Sequence, residues 1–225
     1  GANSMEATTT GAYNAAVGRL SLGANTTGDR NTAIGYTALQ TNTTGASNTA
    51  MGTRSLYNNS TGSSNSAFGD WALRGNTTGN NNTASGYKGL YSNTTGLHNM
   101  ASGYRALQSN TTASCNTAVG SCALYANTTA DNNTGVGLTA LDAVSTGDGN
   151  TAVGYNALTA NTTGEGNVAI GYNTLAANTT ASQNLGMGYN ALAIQTSDGA
   201  FNTAVGSYTL DNNTIGDKNV ALGYV

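Results

Sequence analysis

Proline is absent from the 225 residues, and charge is scarce: Asp, Glu, Lys and Arg together make up 8%, against about a quarter in ordinary globular domains. With no proline anywhere, every backbone N–H past the first residue is able to join a hydrogen-bonded ladder, as sheets require. Sparse charge combined with abundant Gly, Asn, Thr, Ala and Ser is also the composition of disordered segments, so composition alone does not decide between the two. No apolar run approaches the roughly 18–20 residues of a membrane span, and no stretch reads as a secretory signal peptide. The net charge of −3 speaks against nucleic acid as a partner.

Cysteine and histidine are nearly missing too. Cys115 and Cys122 fall at opposite ends of one expected strand, about 20 Å apart, well beyond the ~7 Å that a bridge tolerates. They read as small buried residues and fix no redox compartment. His98 is the single histidine and has no Asp or Cys partner at a recurring spacing. It reads as a solvated loop residue, and no enzyme constellation emerges.

What is abundant is repetition. Residues 150–166 read N-T-A-V-G-Y-N-A-L-T-A-N-T-T-G-E-G, one copy of a 17-residue unit that fills the chain. Taking the glycine after the apolar residue as position zero, equivalents run from Gly1 and Gly18 to Gly223, always 17 apart except for a step of 18 between Gly188 and Gly206. An asparagine stands four residues before each glycine from Gly18 onward, and a leucine four residues after, from Leu22 to Leu210. Disorder has no need of leucine in the same slot, which rules that reading out. A fixed period of this size marks a solenoid whose units stack as coils. The expected fold is therefore all-β, a parallel β-solenoid of about thirteen 17-residue coils, one array over residues 1–225 and a rod roughly 60 Å long at about 4.8 Å per coil.

Within a unit, N-T-A-φ-G-Y (φ an apolar residue) alternates with period two, a strand signal. Ala16, Ala33 and Ala50 share one face with the Asn and the Gly; Val17, Ile34, Met51, Phe68, Val119 and Ile170 share the other with the following residue, often Tyr. The segment x-A-L-x-x-N-T is expected as a second strand, closed by T-G-x-x as a turn. The one extra residue falls in residues 197–201, inside that turn, where an insertion costs least. Each coil would bury about one Leu, one Val-sized residue and two Ala. That is little apolar area for 17 ordered residues, so burial against further chains is expected.

Stacking turns positions into columns. The Asn column is expected to hydrogen-bond along the ladder as stacked amides do, and Thr26, Thr43, Thr77, Thr94, Thr111, Thr128 and Thr162 likewise. An ice-binding array would call for T-x-T spacing, which is missing, so an ice- or glycan-binding module is the weaker alternative. Asn25, Asn42, Asn59, Asn76, Asn93, Asn110, Asn127, Asn161 and Asn178 open N-[ST]-T triplets, formally glycosylation acceptors, but sugars about 4.8 Å apart would collide, so turn asparagines are expected. Tyr36, Tyr87, Tyr104, Tyr155, Tyr172, Tyr189 and Tyr224 either cover the core edge or line an interface between chains. Arg54, Trp71, Lys88 and Arg105 share a column in which cations can sit over the indole, a packing arrangement more than a nucleic-acid groove. Asp131, Asp148 and Glu165 occupy one turn column in three successive coils. Carboxylates about 5 Å apart repel unless they splay into water or share a cation, and Ca²⁺ takes such oxygen ligands. They are the candidate metal ligands; no other cofactor is expected.

The unit N-T-A-[VI]-G-Y-x-A-L-x-x-N-T-T-G, as in Asn31-Thr32-Ala33-Ile34-Gly35 and residues 116–120, 150–154 and 167–171, resembles the head repeats of YadA-like trimeric autotransporter adhesins. It also looks like repeats of phage tail fibres and large bacterial surface proteins. The resemblance covers essentially the whole chain, although the coil here is longer and its N-T-T-G turn more regular. It implies a left-handed β-roll, three chains side by side, an extracellular, cell-surface or virion location, and a passive spacer or adhesive role toward a receptor or glycan. From another class comes a solenoid that stacks head to tail into a filament. Residues 1–112 hold six basic residues against three acidic, and residues 113–225 one against seven, so opposite ends would attract. Both ends fall inside the repeat, and the chain is expected to continue into more protein, as a segment of a longer fibre.

Overall fold

In the computed structural model, which describes residues 1–224, every element is a β-strand and every strand has three residues. The chain divides into two compact units, 1–114 and 115–225. The first holds β1 (Ala15–Val17), β2 (Thr32–Ile34), β3 (Thr49–Met51), β4 (Ser66–Phe68), β5 (Thr83–Ser85) and β6 (Met100–Ser102). The second holds β7 (Thr117–Val119), β8 (Thr134–Val136), β9 (Thr151–Val153), β10 (Val168–Ile170), β11 (Leu185–Met187), β12 (Thr203–Val205) and β13 (Val220–Leu222). Within each unit successive strands pair in parallel and in register, Ala33 beside Ala50 and Ala152 beside Ala169. The 17-residue period is thus the length of one coil of a parallel β-solenoid, as the repeat requires.

The second expected strand does not form. After the strand the chain passes through Gly35 at φ 135°, then Thr37 at 54° and Leu39 at 51°, and Arg30 closes the preceding coil at 56°. Left-handed residues recur at these positions in coil after coil and break the pleat that an extended strand needs. Coil-to-coil bonding nevertheless continues through the turn: the Leu39 N–H donates to the Ser55 carbonyl at 3.0 Å and the Thr43 N–H to the Ser60 carbonyl at 2.9 Å. From Leu22 to Leu192 the left-handed leucines of this column sit fully buried at 0% exposure, so apolar burial offsets their backbone strain. Glycine is required at position zero because a Cβ on Gly35 would lie 2.5 Å from the Gly52 carbonyl oxygen.

The interior is narrow and half polar. It contains the Leu column, the middle residue of each strand (Ala, or Gly135 and Gly186), and two columns of buried asparagine. One amide column runs through Asn25, Asn42, Asn59 and Asn76, each Nδ2 donating to the preceding Oδ1 at 2.8 Å. The other lies just before the strands, where Asn48 N–H donates to Asn31 Oδ1 at 2.9 Å. The Gly62 carbonyl joins the two columns by accepting from Asn48 and Asn59 Nδ2, both at 2.8 Å. A buried amide costs free energy unless it is paired, and from Asn25 to Asn110 each coil pairs the next. The aliphatic residue that ends each strand was expected inside; it faces out instead. Alternation along three residues turns the central Ala inward and both its neighbours outward, and the two amide columns fill the space a larger side chain would need.

The 18-residue step is absorbed without loss of register, Leu185 still pairing with Thr203. The extra residue displaces the carbonyl that Asn normally reaches, and at that coil the amide column carries Gln195. Its longer side chain donates from Nε2 to the Gly199 carbonyl, and its Oε1 accepts from Asn202 Nδ2 at 3.3 Å. Insertion and Gln go together, but the compensation is partial: Asn178 Oδ1, one coil earlier, is buried without a donor.

Two stability effects follow. Asn76→Ala removes an acceptor for Asn93 and a donor to Asn59 and Gly79, and is expected to cost roughly 2–4 kcal/mol, read as a lowered urea midpoint. Gln195→Asn is expected to cost about 1–3 kcal/mol, and combining it with deletion of Ser197 to restore most of that loss; an unchanged midpoint for the single variant would count against the pairing.

Candidate functional site

The chemistry available to a partner lies on the outside. In the second unit the strand-ending column runs Val119, Val136, Val153, Ile170, Met187, Val205 and Leu222, half-buried to exposed and unbroken by a polar residue. In the first unit Val17, Ile34, Met51 and Phe68 are exposed, and Ser85 and Ser102 end the rank. Two positions further on stands the tyrosine column. Tyr155, Tyr172 and Tyr189 stack face to face with centroids 5.1 Å apart, and Tyr87 stacks on Tyr104 at 5.7 Å. These rings are 42–48% exposed. Aligned apolar ranks of this kind on a solvent-facing surface are features of interaction sites.

Cation–π contacts form in the column where the sequence located them. Arg54 and Lys88 lie 5.4 and 5.3 Å from the centre of the Trp71 ring, and Arg105 lies 5.0 Å from that of Tyr104. Sequence reasoning missed Arg74, which stands three positions along the coil from Trp71 and lies 5.4 Å from its ring and 5.5 Å from that of Tyr91. The signal was available: Tyr57, Arg74 and Tyr91 are 17 apart.

Asp131, Asp148 and Glu165 share a column as expected, but their carboxylates are not gathered. Asp148 Oδ1 accepts the Asp131 backbone N–H at 2.7 Å, and the Glu165 N–H donates to Ser182 Oγ at 2.9 Å. The same bond recurs from Ala12 N–H to Asp29 and from Ala200 N–H to Asp217, each at 2.7 Å, so this turn position holds an acceptor for the coil before it. Among the described residues no three His, Cys, Asp or Glu side chains come together as a cation site, and no cavity opens.

Each formal glycosylation asparagine, from Asn25 to Asn178, is buried at 0% exposure with its Nδ2 donating to a carbonyl of the same turn, so the folded chain does not present these amides to an enzyme. The Thr26 column is also engaged, Thr26 Oγ1 donating to the Thr43 carbonyl at 3.0 Å. The neighbouring column is the one left outward, from Thr27 and Thr44 to Thr163 and Thr180. His98 is exposed in a turn at φ 57°. The cysteines are unbridged, but the expectation of burial was wrong: Cys115 is exposed and Cys122 half-buried, since both occupy left-handed turn positions that point side chains outward. No helix among the described residues is long and apolar enough to cross a membrane.

Fold and surface together define a β-solenoid repeat protein. No family model, curated protein or solved structure matches the chain.

Partial burial without a cationic partner pushes the Asp142 carboxyl above its ordinary value. Between the ordinary and the raised value the folded state holds more protons than the unfolded one, so stability falls as pH rises through that window. Asp142→Asn is expected to raise the melting temperature at pH 7 and to leave it nearly unchanged at pH 3.

Proposed function

We propose that the chain is a non-enzymatic structural segment of an extracellular fibre, built by association of copies of itself along the exposed aliphatic and tyrosine ranks. The observation that carries this reading is the outward placement of the strand-ending column. Fully burying a Val, Ile or Met side chain contributes about 1.5–3 kcal/mol, and here part of that contribution is left unrealised by the coil that carries the residue. Parallel coils present it in register, so a second chain with the same pitch meets the rank along its whole length. The interior holds Leu, Ala and paired Asn, a composition suited to rigidity. Resemblance of the unit to trimeric adhesin head repeats supports three chains as the assembly, with a spacer or adhesive role. Such a segment needs neither metal nor cofactor.

Sedimentation velocity and light scattering test it. A fixed mass of three 22.5 kDa chains, persisting on dilution to micromolar concentration, is expected. The pair Val153→Asn and Ile170→Asn is expected to shift the mass toward the monomer while the far-ultraviolet spectrum stays unchanged. A monomer at all concentrations would overturn the reading, and length-disperse polymers would replace the closed trimer with end-to-end stacking.

A further inference from the structure

Four successive coils of the first unit each present one cation: Arg54, Arg74, Lys88 and Arg105. These are four of the seven basic residues in a chain that is only 8% charged. Coils stack about 4.8 Å apart, so four like charges stand one per rung. Among the described residues none of the four forms an ion pair. The nearby Asp70 carboxylate is engaged at its Oδ1 by the Thr53 backbone N–H at 2.8 Å. The only compensation visible is aromatic. Arg74 lies 5.6 Å from the centre of the Tyr57 ring and donates to the Tyr91 hydroxyl at 3.0 Å, and Lys88 lies 5.3 Å from the centre of the Tyr87 ring. Each cation therefore rests on an aromatic ring, and no carboxylate is ion-paired with any of the four. Rings hold cations in place but leave their charge intact.

A rank of fixed cations with no ion-pair partner, one per rung, fits a linear polymer bearing anions at regular intervals. We infer that this face binds an acidic polysaccharide lying across the coils, its carboxylate or sulfate groups paired with Arg54, Arg74, Lys88 and Arg105 and its hydroxyls with the tyrosine hydroxyls between them. Single-stranded nucleic acid fits less well, because stacking needs open ring faces and Trp71 already has Arg54, Arg74 and Lys88 within 5.4 Å of its centre. The acidic turn column of a second copy offers only three successive carboxylates, Asp131, Asp148 and Glu165, against four cations, and is the rival outcome of the test. Self-association uses the aliphatic and tyrosine ranks and shares Tyr87 and Tyr104 with this face, but the inference rests on the four cations, which the aliphatic rank does not use.

Trp71 is the only tryptophan, so its emission reports on this face in the unaltered protein. Titration with polygalacturonate or heparin is expected to change the emission saturably, neutral dextran to leave it flat, and about 0.5 M NaCl to reverse the change by screening. The two acidic polymers distinguish carboxylate from sulfate selectivity. The triple variant Arg54→Asn, Lys88→Asn, Arg105→Asn places at these left-handed positions the residue that the same column carries at Asn156, Asn173 and Asn190, so the fold is retained. Its affinity is expected to fall about tenfold or more, and that of Arg30→Asn, outside the rank, to stay unchanged. Three results would overturn the inference: no response to either acidic polymer, equal affinity for the triple variant, or equal affinity for single-stranded DNA of matched length. Emission that shifts with protein concentration alone at low salt would also overturn it, in favour of a second copy of the chain.

Discussion

A buried amide side chain has two donors and an acceptor to satisfy, and inside a narrow coil another amide one rung away is the partner always at hand. That requirement governs this molecule. Asn59 serves Asn42 and Asn76 only if all three lie one coil apart, so a drift in period would strand donors in the interior, where an unmade hydrogen bond costs more than a made one contributes. The chain shows how far the requirement is met when the pattern is disturbed, Asn178 Oδ1 being the acceptor left over at the insertion. Where one residue is inserted, Gln195 extends the reach. Where Val144 replaces the asparagine, Asn150 Nδ2 supplies a bond to the vacated Gly147 carbonyl at 3.1 Å while keeping its own to Gly164 at 2.8 Å.

Filling the interior with amides has a consequence for everything outside it. Room remains for one leucine and small alanines per coil, so the residue with the largest β-propensity in each strand, Val, Ile, Met or Phe, is turned to solvent. The turns then carry conformations that side chains ordinarily avoid, tolerated because backbone bonds to the coils on either side hold them. Both effects move chemistry to the surface: apolar ranks on the strand face, and outward-pointing Arg, Lys, Trp and Cys at the left-handed positions. The cation rank and the aliphatic ranks are products of the same geometry, one per turn position. Neither needs a pocket, because each acts through repetition at constant rise.

How much of this was legible differs from column to column. Parallel stacking, register, the asparagine ladders and the Arg54–Trp71–Lys88 contacts all follow from residues recurring 17 apart, since in a solenoid sequence period becomes spatial adjacency. The metal candidates illustrate the limit: Asp131, Asp148 and Glu165 share a column by period, yet where each carboxylate points depends on which backbone N–H the turn leaves unpaired.

The sequence by itself determined the coil length, the columns and their order, because these depend only on the repeat and on each residue's wish to pair with its copy. Tertiary structure alone decided which columns face inward and where the chain is extended. T-A-V and A-L are compatible with either face and with two strands; the choice goes to the arrangement that closes both amide ladders at once, and closing them demands left-handed turns at Thr37 and Leu39 and their equivalents. That is a property of three-dimensional closure, in which no single residue's preference is expressed, and so no local pattern announces it.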